Sequence, residues 1–87
     1  MLRTKKWSTE IFIDEQDDGV HAEVRLHTCD NTHLVGVGVA ATNPDDVNVP
    51  EIDDEIAVAR ALANLSRELL HAATEDIEGI HDQRAQR

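Results

Sequence analysis

The sequence predicts an α+β domain: a three-stranded antiparallel meander covered on one face by a long C-terminal helix (β-β-β-α). Three observations carry that expectation. Three successive stretches alternate apolar and polar residues with a period of two. Short turns rich in Asp, Asn and Gly separate them. From about Asp53 the apolar residues recur instead in steps of three and four, the period of a helix.

The first strand places Trp7, Thr9, Ile11 and Ile13 on one side and Ser8, Glu10, Phe12 and Asp14 on the other. A charged run from Asp14 to Gly19 is expected to end it, because Asp-Gly favours a tight turn with positive φ at glycine. The second strand points Val20, Ala22, Val24 and Leu26 inward and His21, Glu23, Arg25 and His27 outward. After the turn Thr28-Cys29-Asp30-Asn31-Thr32, the third runs from His33 to Ala41. One of its faces carries Leu34, Gly36, Gly38 and Ala40, the other Val35, Val37 and Val39. A phosphate-binding Gly-x-Gly needs a strand-to-helix turn and a third glycine. These glycines sit inside a strand, where small residues let a covering helix come close.

Residues 42–50 read as a loop, with Asn43-Pro44 initiating a turn and Pro50 introducing the helix. Asn48 or Asp53 serves as N-cap. Glu51, Asp53, Asp54 and Glu55 complement the helix dipole and lack the glycine and closing glutamate of a calcium loop. The expected apolar stripe is Ile52, Ile56, Ala59, Leu62, Leu65, Leu69, Ala72, Ala73, Ile77 and Ile80. Arg60, Asn64, Arg67, Glu68, His71, Glu75 and Glu78 fall mainly on the other side, and Gly79 caps the end. The expected organisation is a flexible basic tail (1–6), one domain (7–80) and a flexible C-terminal tail (81–87).

Eighty-seven residues with 2% aromatics give a thin aliphatic core, a situation that oligomerisation relieves. The net charge of -10 argues against direct nucleic-acid contact, which relies on Lys and Arg. Cys29 is the single cysteine, as in a reducing compartment, and no apolar run reaches membrane-span length or forms a signal-peptide core. These features predict a cytoplasmic protein away from membranes. His27, Cys29 and His33 could converge at one hairpin, but their spacing matches no structural zinc motif. Cys29, Ser8 and Ser66 lack a recognisable activating relay, so no catalytic residue, metal ligand or cofactor is assigned.

A helix from Asp53 to Glu78 would span about 39 Å against roughly 27–30 Å for the strands. Its far end therefore overhangs the sheet unless it bends near Ser66. The third strand is an apolar edge without Lys or Pro to protect it. Both features predict a homodimer with contacts at Val35, Val37, Val39, Leu69, Leu70, Ala73 and Ile77.

Several segments together resemble a small actinobacterial domain-of-unknown-function family. They are Trp7 with Ile11-Phe12-Ile13-Asp14-Glu15, Asp18-Gly19 with Ala22 and Leu26, and His33-Leu34-Val35-Gly36-Val37-Gly38. Asn43-Pro44, Val49-Pro50-Glu51-Ile52, Asp54 to Leu62, and Asp76-Ile77-Glu78 continue the likeness. The resemblance implies a β-β-β-α subunit with a fold like the double-stranded-RNA-binding domain, in an intertwined dimer. It also implies a likeness to ribosome hibernation-promoting factors and a link to stress or dormancy. The reading adopted is a dimeric, non-catalytic stress- or dormancy-related protein acting through protein contacts. The alternatives are a ribosome-binding translational silencer and a small-ligand binder or enzyme.

Overall fold

Alternating side chains produce three strands of nine residues: β1 (Ser8–Gln16), β2 (Gly19–His27) and β3 (His33–Ala41). They pair antiparallel in the order β1-β2-β3, and a long helix, α1 (Pro50–Ala85), follows. The computed structural model describes residues 2–29, 33–41 and 50–85. This is the meander and covering helix that the residue pattern predicts.

The first hairpin closes through Asp17 and Asp18, since Gln16 pairs with Gly19. Gly19 has φ +144°, and a Cβ there would fall 2.2 Å from the Ala40 carbonyl oxygen. Glycine is thus required by both conformation and space. The strand β1 runs two residues beyond its expected stop at Asp14, because Glu15 and Gln16 still find partners in Val20 and Gly19.

The core is a row of small aliphatic side chains. Val20, Ala22, Val24 and Leu26 of β2 and Ala40 of β3 meet Ala57, Ala61 and Leu65 of α1. Val24 is fully buried, worth about 1.5–3 kcal/mol relative to exposure. The helix lies over β3 and β2 and scarcely reaches β1. Its backbone rests on the glycines of β3. A Cβ on Gly38 would fall 2.3 Å from Ala61 N and 2.4 Å from Ala57 O, and one on Gly36 would fall 2.2 Å from Ala61 O.

That contact decides which helical face turns inward. Ala57, Ala61 and Leu65 sit directly over the glycine floor and are buried, with Val58 and Leu69 half-buried at the margin. The expected apolar stripe is corrected accordingly. Leu65, Leu69 and Ala72 do lie on or beside the inner face, whereas Ile52, Ile56, Ala59, Leu62, Ala73 and Ile77 are exposed. Arg60 and Asn64, expected away from the sheet, flank it and bond to β3.

The helix boundaries also differ. Pro50 is the first helical residue, a position where its missing N–H costs nothing, so Asp53 lies within the first turn and is not the N-cap. Asn48 falls outside the described residues. Gly79 does not stop the helix, which continues to Ala85 without interruption at Ser66. Thirty-six residues give a rod of about 54 Å, against about 30 Å for a nine-residue strand, so the overhang exceeds the expected one.

Two substitutions test this frame by thermal unfolding. Gly38→Ala is expected to destabilise by about 1–3 kcal/mol through overpacking, lowering Tm by roughly 4–8 °C per kcal/mol. Gly79→Ala, with nothing within 4 Å of the added Cβ, is expected to stabilise by about 0.5–1 kcal/mol. A destabilising Gly79→Ala would mean that the glycine ends the helix instead of lying inside it.

Candidate functional site

The strand period of two sends the odd-numbered residues of β2 and β3, and the even-numbered ones of β1, to the face away from the helix. Val35, Val37 and Val39 form a row there, with Val37 50% exposed. Across the sheet lies Phe12, 43% exposed, with the Arg25 guanidinium 4.6 Å from its ring centroid. Between them runs a polar row. Arg25 Nε donates to Glu23 Oε2 at 2.7 Å, and His21 Nε2 lies 3.2 Å from Asp18 Oδ1. A shallow cleft of about 350 Å³ lies among Phe12, Asp14, His21, Glu23, Arg25 and Val37.

At the far end of this face, His27 and His33 are cross-strand partners. Their Nδ1 atoms are 3.2 Å apart, and the rings meet edge-on at 80°. His27 Nε2 lies 2.7 Å from Glu10 Oε1. Of the three residues considered for a convergent hairpin cluster, His27 and His33 come together. Cys29 turns to the main chain instead, its Sγ donating to the Lys6 carbonyl at 3.3 Å.

The edge of β3 is occupied. Arg60 Nη1 donates to the Val39 carbonyl at 2.6 Å, and Asn64 Nδ2 donates to the Val37 carbonyl. Arg67 Nη1 in turn donates to Asn64 Oδ1 at 2.9 Å. The strand itself lacks Lys and Pro, but the helix supplies the protection expected to be missing. These acceptors are unavailable to an added strand.

The outward side of α1 carries a second apolar line. Ile52, Ile56, Ala59, Ala63, Ser66, Leu70, Ala73 and Ile77 follow one another in alternating steps of four and three. At about 100° per residue this line lies roughly opposite the Ala57–Ala61–Leu65 face. It stands in solvent: Ile52 is 52%, Leu70 67% and Ile77 56% exposed. No sequence signal was missing here. The line is legible once the inner face is known to be the alanine one.

The predicted contact residues thus fall in separate layers. Val35, Val37 and Val39 share the open sheet face, while Leu70, Ala73 and Ile77 belong to the outer helix line. Leu69 packs against the core margin and lines a cleft with Trp7, Leu34, Ala72 and Ala73. Ile11 and Ile13, on the helix side of β1, form a further exposed lane that α1 barely approaches, while half-exposed Trp7 borders the cleft lined by Leu69, Ala72 and Ala73.

A family model described as Rv2632c-like matches residues 5–86. The chain belongs to the Rv2632c-like family. Relatives in Mycobacterium include the uncharacterised protein Mb1767 of Mycobacterium bovis, 47% identical over 79 residues, which cover 91% of this chain and 83% of that protein. The uncharacterised protein Rv2632c of Mycobacterium tuberculosis is 38% identical over 74 residues, covering 85% of this chain and 78% of its own. The crystal structure of Rv2632c superposes with a TM-score of 0.80 at 36% identity, covering 90% of this chain and 92% of that one. The β-β-β-α arrangement is therefore shared within the family. Among the described residues no helix is long and apolar enough to cross a membrane.

The edge caps make a prediction of their own. Replacing Arg60 and Asn64 together by Ala removes two bonds to β3, one of them from a charged donor worth about 1.5–3 kcal/mol. The double variant is expected to unfold at lower temperature and to scatter light and bind thioflavin on mild heating, as an opened edge recruits other chains.

Proposed function

We propose that this chain is a non-catalytic interaction protein that works as a homodimer through the outer line of α1, leaving its open sheet face to meet another protein. The observation that carries this reading is the 4-3-4-3 spacing of Ile52, Ile56, Ala59, Ala63, Ser66, Leu70, Ala73 and Ile77 on an exposed helical face. Such spacing suits a second helix of equal period. A second copy supplies one of matching length and pattern. A core built largely from Ala and Val adds a stability argument for pairing.

Layering decides how the seven predicted contact residues are used. A twofold contact buries the same patch on both copies. Val35, Val37 and Val39 lie on the opposite side of the molecule from Leu70, Ala73 and Ile77, so one rigid twofold contact takes one group and leaves the other. The helix line is the longer and serves the self-contact. The valine row, with Phe12, serves the partner protein.

The role suggested by the sequence likeness, in stress or dormancy, fits a module whose surfaces are built for protein contact. The second reading, association with the ribosome, rests on what the sequence resemblance implies: a fold like the double-stranded-RNA-binding domain and a likeness to hibernation-promoting factors. Arg60 and Arg67 beside the β3 edge favour it locally, and the net charge of -10 opposes it. A small-ligand site would call for an enclosed apolar pocket with convergent polar groups.

Sedimentation equilibrium at micromolar concentration is expected to give about twice the chain mass of 9.7 kDa. Leu70→Glu or Ile77→Glu should reduce it to the monomer, while Val37→Lys leaves the dimer intact. A stable wild-type monomer would defeat the proposal. Co-sedimentation with ribosomes at low salt separates the two readings: absence of association removes the second.

A further inference from the structure

We infer that His27 and His33 form a chelating pair for a divalent transition metal ion, with zinc the best geometric match, on the open face of the sheet. The pair is held by the fold and not by chance. Arg60 and Asn64 bond to the Val39 and Val37 carbonyls at the outer edge of β3, so odd-numbered residues of this strand turn their main-chain groups outward. His33 therefore faces His27 across a non-hydrogen-bonded position, where opposing side chains stand closest.

The hydrogen positions follow from the partners. Glu10 as a carboxylate only accepts, so His27 Nε2, 2.7 Å away, carries the hydrogen. In neutral His27 the Nδ1 atom is then a bare lone pair. The 3.2 Å contact between the two Nδ1 atoms must be donated by His33. A metal ion replaces that one hydrogen: His33 shifts to its Nε2–H tautomer, and both Nδ1 lone pairs become ligands. No net proton leaves the protein.

Distance favours the same conclusion. Two imidazole nitrogens bound at 2.0–2.1 Å in tetrahedral array stand about 3.3 Å apart. The observed 3.2 Å already matches that spacing, and each ring has to turn until its Nδ1 lone pair points at the shared site instead of at the other ring. Glu10 completes a carboxylate–histidine–metal arrangement, the usual outer partner that fixes ring orientation and raises ligand basicity. Among the described residues no set of three or more His, Cys, Asp or Glu side chains forms a metal cluster. The protein therefore supplies two ligands, and water takes the remaining positions.

Zinc chloride titration, followed through the imidazole nitrogen resonances of the full chain, tests this. Zinc is expected to shift Nδ1 of His27 and His33 and to leave His21 and His71 unmoved. His33→Ala should abolish the response, and Glu10→Gln should weaken binding about 10- to 100-fold. His71→Ala should change nothing, and far-ultraviolet dichroism checks that each variant is folded. The inference is overturned if zinc in molar excess leaves both rings unshifted, or if His27→Ala and His33→Ala bind it as well as the parent chain.

Discussion

The seating of α1 on the glycines of β3 is the contact on which the rest of the molecule depends. Ala57 and Ala61 lie so close to Gly36 and Gly38 that no Cβ fits between them. A close approach of this kind gains dispersion along two backbones but leaves little room for side chains. The core is consequently thin, and among the described residues Val24 is its one fully buried larger side chain. Apart from Leu65, which packs on Gly36, the large residues lie elsewhere on the helix. Ile52, Ile56, Leu70 and Ile77 are accordingly on the outside.

The same proximity closes an edge. Because the helix axis lies so near β3, Arg60 and Asn64 reach past the strand and bond to its outward carbonyls. An edge strand apolar on both faces is ordinarily a template for further pairing. Here the covering helix removes two of its acceptors, so a strand added at this edge would lose two hydrogen bonds. That loss matters for partner chemistry. A valine row flanked by Phe12 and an Arg25–Glu23 pair suits a packed side-chain surface, with rim charges that contribute to specificity more than to affinity.

The strands were legible because each side chain there obeys one rule. Val20, Ala22, Val24 and Leu26 alternate with charged residues, and burial follows that alternation residue by residue. The glycines of β3 were also readable as a floor for a helix. What followed from them was less so. Reading the helix by its largest apolar residues merges two faces, since Leu65 and Leu69 belong to one and Ile56 and Ile77 to the other. The glycine floor favours alanine opposite it, and that preference passes between elements distant in sequence. Local signals misled at the ends as well. Asp53 and Gly79 carry capping chemistry, yet Pro50 initiates the helix earlier and it continues past Gly79 to Ala85. The histidine pair was visible as a hairpin juxtaposition, but which two of three candidate residues meet depended on the direction Cys29 takes in the turn.

The profile of the outer line adds a constraint on what can lie against it. Its middle is small, with Ala59, Ala63 and Ser66, and its ends are large, with Ile52 and Ile56 before and Leu70 and Ile77 after. Helices approach most closely where side chains are smallest, and interaxial distance is set by residues at the crossing. Two copies would therefore touch near Ala63 and Ser66 and diverge toward both ends, each end filling the gap with larger residues. That midpoint lies beside Leu65, the last buried helical residue among those described, with Leu69 and Ala72 still half-buried beyond it. The overhanging half of one helix would then project over the neighbouring protomer, where Ile11 and Ile13 form a lane that its own helix barely covers. A thin core, a helix apolar on two sides and an uncovered strand are separate oddities in one chain. As halves of the proposed crossed-helix pair they would become complementary.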